Sequence, residues 1–378
     1  MARRRHNHRG GGAPGRGQSP RQPSGHPALV KRPQKEKQQG EGRGGRGAGR
    51  GQRGRGGRPS RAARRTPLQA ISVVEEVRED AITRHQEIPK AHGDAITAII
   101  VCEDAIYTAS RDKSLKRWRA RRNASNRFEL HADLEVPLGD PGCCMVGVGE
   151  WLFAGLGDGS IKGFSKSGGE TALRAHTKRV TCMLVHQHVL LSGGSDATVR
   201  CWQADAASGT FACTHTIQES IAGAVQCMCV VNESLWVGGT SGISVVELAT
   251  LRVTYQIPPK KFVSGFLQFE GHVISVYADG GMCIFGANGA EKHSQPPLPA
   301  GPILCVAGLE SGPRLLCGHA KGQVSSITLP MFQLRRSWHG MEKCKVTSLC
   351  CVGHDGIFIL GAENGTLQLW QRDDAADL

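Results

Sequence analysis

The sequence has no apolar run that approaches the roughly 20 residues needed by a membrane-spanning helix, which excludes a spanning protein. No cysteine precedes Cys102, and no charged segment followed by an apolar one opens the chain, so no secretory signal is indicated. The 14 cysteines lie mostly inside apolar runs such as the one from Val225 to Val231. We therefore expect buried free thiols in a reducing compartment, nuclear or cytoplasmic.

Acidic and large apolar residues are almost absent from the first 65 residues. This segment contains 16 Arg, 3 Lys and 16 Gly but only two Glu, which gives it a net charge of +17. The remaining 28 basic and 31 acidic residues give the rest of the chain a net charge of −3. Residues 1–65 cannot bury enough apolar area to offset their conformational entropy, so we expect a disordered tail, with residues 66–81 as a linker.

The densest part of this tail runs from Gly42 to Arg58, and it resembles the RGG/RG boxes of RNA-associated proteins. Guanidinium groups pair with phosphates and stack on bases, and glycine lets the backbone follow an irregular strand. The resemblance predicts RNA contact by the tail. A solvated spacer and an arginine-rich organellar transit peptide are the alternative interpretations. The candidate RNA contacts are Arg43, Arg46, Arg50, Arg53, Arg55 and Arg58.

The rest of the chain repeats a turn residue followed, six positions later, by a large apolar residue. Asp112 precedes Trp118 in this way, as Asp196 precedes Trp202 and Asn364 precedes Trp370. Glycine follows the turn position in five of the seven copies, as tight hairpins require. Short β-type runs surround each turn and no sustained helical period occurs, which predicts an all-β fold. The turn positions are 112, 158, 196, 241, 279, 321 and 364.

These units resemble WD repeats, the four-stranded blades of β-propellers. Seven units imply a seven-bladed propeller over residues 82–371, followed by a short acidic tail at 372–378. Few residues follow Trp370, so the stretch from Ala81 to Pro89 is expected to supply the outermost strand of the last blade. That pairing would remove the free edges of the ring.

The resemblance also implies a buried polar network in well-formed repeats, linking a loop histidine, a hydroxyl, the turn aspartate and the indole. Although each set looks like a catalytic triad, its recurrence with the repeat indicates a structural role. Five units lack a full set, which implies weaker blades. The two full sets are His92, Thr108, Asp112 and Trp118, and His176, Ser192, Asp196 and Trp202.

The third unit is similar to plant and algal WD-repeat proteins that carry CCCH zinc fingers. The similarity lies in Ala175 to Cys182 and in Leu191 to Trp202. The finger of those proteins precedes the propeller, and here no cysteine precedes Cys102. The zinc finger is therefore absent, and the arginine-rich tail occupies its place in the chain.

Cysteine and histidine clusters elsewhere are isolated from one another, so no metal site is predicted. No nucleotide-binding or zinc-protease motif occurs, and we expect no cofactor and no enzymatic activity. The clusters considered are Cys227 with Cys229, Cys317 with His319, Cys350 and Cys351 with His354, and His6 with His8.

In a propeller, the loops that enter the innermost strands and the hairpins between second and third strands share one face. Basic residues in these segments predict a charged face that docks protein partners, with solvated surface lysines as the alternative. The candidate contacts are Arg111, Lys113, Lys178, Arg179, Lys260, Lys261, Lys343 and Lys345, with Lys90 and Lys321 on the same loops.

Two functional hypotheses follow. The first is a non-catalytic, RNA-associated adaptor, monomeric within a complex, whose tail holds RNA while the propeller docks proteins. The second is a protein-only adaptor, such as a substrate receptor of a cullin-type ubiquitin ligase. For the second, Trp118-Arg119-Ala120-Arg121 partly resembles the Trp-Asp-x-Arg signature of such receptors, with Arg119 in place of the aspartate.

Overall fold

The computed structural model describes residues 81–125, 127–174, 176–205, 210–258, 261–309, 313–353 and 356–373. The candidate RNA-binding arginines of the tail, the linker before residue 81, Lys260, His354 and residues 374–378 lie outside the described residues. The boundaries proposed for the tail and the linker therefore stay predictions.

Twenty-eight strands, in seven antiparallel sheets of four, make up the described structure. The first half comprises β1 (Ala81–Ile88), β2 (Ile96–Cys102), β3 (Ala105–Ser110), β4 (Ser114–Arg122), β5 (Phe128–Pro137), β6 (Gly142–Val148), β7 (Trp151–Leu156), β8 (Ser160–Ser165), β9 (Glu170–Arg174), β10 (Val180–His186), β11 (Val189–Gly194), β12 (Val199–Ala204) and β13 (Phe211–Ile217). The second half comprises β14 (Val225–Val231), β15 (Ser234–Gly239), β16 (Gly242–Glu247), β17 (Arg252–Ile257), β18 (Val263–Phe269), β19 (His272–Tyr277), β20 (Met282–Phe285), β21 (Glu291–Gln295), β22 (Ile303–Leu309), β23 (Arg314–His319), β24 (Gln323–Thr328), β25 (Gln333–His339), β26 (Val346–Val352), β27 (Ile357–Ala362) and β28 (Leu367–Asp373).

Each sheet is one blade of a propeller. Blade 1 is β2 to β5, the next five blades follow in groups of four, and blade 7 is β26 to β28 with β1. The first strand of each blade contacts the first strands of both neighbouring blades, so these seven inner strands form a closed ring. The all-β, seven-bladed propeller expected from the repeat is confirmed.

Burial explains why the strands of a blade differ in sequence. The second strand of a blade is covered on both faces, so it reads as a nearly continuous apolar run. In β15, every residue after Ser234 is buried, and all of β27 is buried. The outermost strand β13 is exposed at most positions and is correspondingly polar. The hydrophobic clusters lie between adjacent blades; one joins residues of blade 1, such as Trp118, to Ile359 of blade 7.

The ring closes through β1, as the sequence predicts. β1 pairs antiparallel with β28, from Ala81 opposite Asp373 to Ile88 opposite Leu367. Gln86, at the one register shift of this pair, extends its side chain to blade 1. Its amide group accepts a hydrogen bond from the Leu130 backbone N–H at 2.6 Å and donates one to the Leu130 carbonyl at 3.3 Å. The closing strand β1 therefore pairs with β28 of blade 7 and is also hydrogen-bonded to blade 1.

A β-bulge recurs at the second residue of every inner strand. In each blade the register between the inner and second strands shifts between the first and third residues. Three of the bulge residues are threonines whose hydroxyls donate to a carbonyl of the next blade, at 2.6–2.8 Å. The bulges thus hold neighbouring blades together. The seven bulge residues are Thr97, Cys143, Thr181, Gln226, Ser264, Leu304 and Thr347.

Four blades place a cysteine immediately after the bulge, opposite a glycine of the second strand. A Cβ on Gly193, for example, would lie 2.9 Å from the Cys182 sulfur and 2.6 Å from a Val225 methyl of the next blade. Burial raises the pKa of the Cys182 thiol to about 12, so this thiol packs as a small apolar group. The four pairs are Cys144–Gly155, Cys182–Gly193, Cys227–Gly238 and Cys305–Gly318.

All 14 cysteines lie within the described residues, and none of them forms a disulfide bond. The described segments contain no helix, and hence none that is long and apolar enough to cross a membrane.

Candidate interaction face

The hairpins that join inner to second strands form one face of the propeller, called here the lower face. In the described residues, five such hairpins, at 103–104, 149–150, 187–188, 232–233 and 270–271, contain no lysine or arginine. They contain instead Glu103, Asp104, Glu150, Glu233 and Glu270.

The opposite face, called here the upper face, is formed by the loops before the inner strands and the hairpins between second and third strands. Nine of the ten basic residues predicted for it are described, and the same segments contain nine acidic residues. Several of these acids accept hydrogen bonds within their own hairpins. Asp158 accepts from the backbone N–H and the hydroxyl of Ser160, and Asp279 accepts from the backbone N–H of Gly281. Of these two sets of described loops, only those of the upper face contain lysine or arginine, and several of the acids beside them serve the turns. The acids of the β2–β3 hairpin are paired with cations from other elements, Glu103 with Lys166 and Asp104 with Arg119.

A cavity of about 710 Å³ opens in the middle of the upper face, and we call it the mouth cavity. Six of the seven bulge residues line it, so it lies over the ring of inner strands. The described charged residues that line it are Arg111, Asp140, Arg179, Lys345 and Glu363.

Of the seven predicted contacts that the structure describes, Arg111, Arg179 and Lys345 line the mouth cavity. Lys345 is paired with Glu363 at 2.7 Å. Lys113, Lys178 and Lys343 lie on the same loops but do not line the cavity, and neither does Lys261, whose ammonium is 3.7 Å from Asp279.

Arg111 and Arg179 reach the cavity from blades 1 and 3, on either side of blade 2. Within the described part of the chain, neither guanidinium has a hydrogen-bond or ion-pair partner. Both lie near the thiol of Cys143. Burial raises the pKa of this thiol, the two arginines oppose that rise, and Asp140 and Asp158 add to it. Asp140, the other charged group beside Cys143 in the cavity, lies against Gly157, where a Cβ would be 2.8 Å from the carboxylate.

The predicted polar network of blade 1 is assembled beneath this face. The Trp118 indole donates to the Thr108 hydroxyl at 2.8 Å, and this hydroxyl lies 2.7 Å from Nε2 of His92. Nδ1 of His92 lies 3.0 Å from the Asp112 carboxylate. Because the Thr108 hydroxyl donates to Nε2, Nδ1 carries the proton and donates to Asp112. Each of these four side chains therefore has a hydrogen-bond partner within the network.

Blade 3 repeats the arrangement. Trp202 donates to Ser192 at 3.0 Å, Ser192 lies 2.9 Å from Nε2 of His176, and Nδ1 of His176 lies 3.0 Å from Asp196. The Asp196 carboxylate also accepts from the Thr177 backbone at 3.0 Å, which ties the loop before β10 to the β11–β12 hairpin. The network therefore positions the loop on which Arg179 lies.

The ionisation of these groups fits a structural role. Burial lowers the pKa of His92 and of His176, so both imidazoles are neutral at pH 7. Burial opposes ionisation of Asp112, but hydrogen bonds from Ser114 and from the Gly93 backbone outweigh it and lower the pKa of this carboxyl to about 2. A neutral imidazole beside a fixed carboxylate, with its other nitrogen already hydrogen-bonded, has no exposed nucleophile to activate.

The sequence interpretation missed one hydroxyl residue in each network. The Ser114 hydroxyl donates to Asp112 at 2.7 Å, and the Thr198 hydroxyl donates to Asp196 at 2.8 Å; each also lies 3.0 Å from the histidine. The signal was present, because an aspartate or asparagine followed two residues later by serine or threonine recurs in four hairpins. The pairs are Asp112–Ser114, Asp158–Ser160, Asp196–Thr198 and Asn364–Thr366.

The remaining blades use different contacts. In blade 6, His319 stands at the end of the second strand, where its ring nitrogens lie 2.9 Å from the Gly301 carbonyl and the Ser325 hydroxyl. In blade 7, the Trp370 indole donates to Gln368. The buried indole N–H groups of Trp236 and Trp338 have no hydrogen-bond partner among the described residues.

The part of the chain that the structure describes has no group of three or more histidine, cysteine, aspartate or glutamate side chains that could hold a metal ion. The upper face instead offers charged groups around a cavity, held by rigid hairpins, which suits recognition of another molecule.

Comparison with known proteins agrees with this fold. Residues 170–203, within blades 2 and 3, match the family model "WD domain, G-beta repeat". In three dimensions the chain resembles the WD40 β-propeller domain of Doa1, with a TM-score of 0.66 at 14% identity, covering 78% of this chain and 98% of that one.

Two curated proteins are similar in sequence. Telomerase protein component 1 of Rattus norvegicus is 23% identical over 315 residues, which is 75% of this chain and 11% of that protein. The Mus musculus protein of the same name is 26% identical over 224 residues, which is 54% of this chain and 8% of that protein. This chain thus spans about a tenth of the length of these relatives.

Together the family match and the structural similarity support a WD40-repeat, seven-bladed propeller, a fold that generally serves as a non-catalytic scaffold for protein interactions. The closer resemblance to zinc-finger WD-repeat proteins and the RGG-type box stay predictions.

Proposed function

We propose that this protein is an RNA-associated adaptor, nuclear or cytoplasmic, in which the Arg/Gly-rich tail contacts RNA while the propeller docks protein partners. The observation that carries the proposal is the division of charge along the chain, with +17 on residues 1–65 and −3 on the remainder. A chain built this way separates a polyanion-binding segment from a nearly neutral docking domain.

The composition of the tail favours RNA over a plain spacer. Arginine outnumbers lysine 16 to 3 in residues 1–65, although either residue would keep a spacer soluble. Arginine differs from lysine in its planar fork, which pairs with a phosphate through two hydrogen bonds and stacks on bases. Arginine separated by glycine suits a single strand whose phosphates and bases point in varying directions.

The relatives support the adaptor part of the proposal. Both are named as a protein component of telomerase, and hence as part of an assembly. The longer match covers 75% of this chain, and a WD40 propeller generally serves as a scaffold for protein interactions.

Ultraviolet crosslinking in cells, followed by recovery of the protein, tests the proposal. The parent chain would be compared with a chain that lacks residues 1–65 and with one in which the six candidate tail arginines are replaced by glutamine. We expect both variants to lose crosslinked RNA while retaining the protein partners of the parent. The glutamine variant controls for tail length, because it removes charge and hydrogen-bond geometry alone.

Two results would contradict the proposal. RNA recovery that is unchanged by both variants would show that the tail is not the RNA-binding segment. Absence of crosslinked RNA from the parent, with partners retained, would favour the protein-only adaptor. The structure adds nothing to the ligase hypothesis, because Arg119 is engaged within its own blade, 2.8 Å from both Asp104 and Asp133.

A further inference from the structure

The mouth cavity has hydrogen-bond donors that the propeller does not use itself. The hydroxyls of Thr97, Thr181 and Thr347 already donate to backbone carbonyls of the adjacent blades. The ammonium of Lys345 is committed to Glu363. Among the described residues, the guanidinium groups of Arg111 and Arg179 are the charged donors of the cavity that have no partner.

The charges that line the cavity leave an excess of one positive charge. Among the described lining residues, three cations face two carboxylates, and Lys345 and Glu363 neutralise each other. The remaining acid, Asp140, stands near two arginines. The acids of the two adjacent networks, Asp112 and Asp196, are occupied by histidine, hydroxyl and backbone groups. A bound carboxylate would therefore complete the charge balance.

The cavity also has an apolar part. Leu304, the bulge residue of blade 6, is 38% exposed and lines the cavity. Among the described residues, the lining includes no aromatic ring on which a base could stack, whereas sites for single-stranded nucleic acid combine basic groups with such rings. The cavity thus combines the charges of Arg111 and Arg179 with the aliphatic side chain of Leu304 in a volume of about 710 Å³. This combination fits a segment of peptide.

We propose that the mouth cavity binds an acidic segment of a protein partner, with Arg111 and Arg179 pairing with its carboxylates and Leu304 contacting an apolar side chain beside them. This inference rests on the proposed docking function of the propeller and identifies the chemistry of the docked segment. It also assigns different roles to residues that are adjacent in sequence: Arg179 binds, while Lys178 does not.

The matched lysines make a sharp test possible. Arg111→Gln with Arg179→Gln removes two positive charges from the cavity, and Lys113→Gln with Lys178→Gln removes two from the same loops outside it. The probe is a short synthetic peptide of glutamate, leucine and serine, compared with a peptide that has glutamine for each glutamate. A single-stranded RNA oligonucleotide is tested in parallel.

The readout is local, so binding of the probe by the tail of the full-length chain does not obscure it. Cys143 lines the cavity, whereas Cys213 is exposed on β13 of blade 3. The rate at which N-ethylmaleimide modifies each thiol is measured by mass spectrometry at increasing peptide concentration, and Cys213 serves as the internal control.

We expect the glutamate peptide to protect Cys143 but not Cys213. The peptide concentration that halves the modification rate of Cys143 should rise about tenfold in the double arginine variant, because charge-assisted hydrogen bonds are lost. The same concentration should stay unchanged in the double lysine variant.

Equal protection by the glutamine peptide, an equal loss in both double variants, or no loss in either would overturn the proposal. Protection of Cys143 by the RNA oligonucleotide in place of the peptide would also overturn it. None of these outcomes depends on whether deletion of residues 1–65 abolishes RNA recovery, so this inference and the RNA-binding part of the proposed function fail separately.

Discussion

At the scale of single residues, Trp202 shows how one side chain serves both the core and the polar network of a blade. It is 4% exposed, packs in the cluster between blades 2 and 3, and donates its indole N–H to Ser192. The same position in blade 1 is Trp118, with the same kind of bond to Thr108. Apolar burial and hydrogen bonding therefore act through the same residue.

Truncation of Trp202 to alanine should destabilise the propeller strongly. The variant would lose the buried ring and leave Ser192 without its donor, at a cost of roughly 3–5 kcal/mol in free energy of unfolding. Chemical denaturation followed by circular dichroism measures this cost. A variant that unfolds at the same denaturant concentration as the parent would contradict the network described for blade 3.

The buried histidines predict a loss of stability in mild acid. Burial lowers the pKa of His92, His176 and His319 below their ordinary value of 6.5, so the folded chain resists protonation that the unfolded chain accepts. Their contribution to stability is complete above pH 6.5 and falls as the pH drops below that value.

Melting temperatures measured between pH 8 and pH 5 test this loss of stability. His176→Gln should give a smaller decrease across that range than the parent, because one of the three titrating groups is gone. Gln86→Leu, which destabilises the propeller without removing a histidine, is the control and should keep the slope of the parent. An unchanged slope in His176→Gln would contradict the assignment.

At the scale of strands, the glycines of the second strands determine how closely adjacent blades pack. Gly193→Ala would bring its Cβ within 2.6 Å of Val225 and 2.9 Å of the Cys182 sulfur, so strand or side chain must shift. We expect a loss of about 1–3 kcal/mol, as for other overpacked cores. Gly169→Ala, where the nearest atom is 3.6 Å away, is the matched control and should change stability little. Equal melting of the two variants would contradict this account of the interface.

The closing strand gives a second prediction at this scale. Gln86→Leu removes both bonds to Leu130 and leaves its backbone groups unpaired, at a cost of roughly 1–3 kcal/mol. Thr83→Leu introduces the same side chain at an exposed position of β1 and should be nearly neutral. Differential scanning calorimetry compares the two, and equal melting would show that the Gln86 contact contributes nothing.

The strands and their number could be predicted from the sequence because a turn residue and, six positions later, a large apolar residue recur in six of the seven blades. The contacts between blades could not, since they join residues such as Thr97 and Gly142, which are 45 positions apart. The bulge that turns Thr97 toward the next blade has no signature within its own strand. For the same reason, ten basic residues could be assigned to one face, but the two that line the cavity without a partner could be identified only from the structure.

At the scale of the whole molecule, the sequence separates charge by segment, and the two faces of the described propeller differ in their loops: the lower hairpins carry acids, whereas the upper loops carry basic and acidic residues together. Acids occupy the lower hairpins, cations border the mouth cavity on the upper face, and the strongly basic residues 1–65 lie outside the described structure. In the proposed function, the propeller supplies the protein-docking surface and the tail supplies the affinity for RNA. The central claim is therefore that RNA binding belongs to the tail alone.

The most direct measurement of that claim is the salt dependence of RNA affinity, for the parent and for a chain that lacks residues 1–65. If each of the six candidate arginines neutralises one phosphate, log affinity against log salt should have a slope of about −4 or steeper for the parent. The shortened chain should bind weakly with a slope near zero. Replacing arginine by lysine from Gly42 to Arg58 should weaken binding at moderate salt although the charge is unchanged. A shortened chain that binds RNA as tightly and as steeply as the parent would contradict the account and place the RNA site on the propeller.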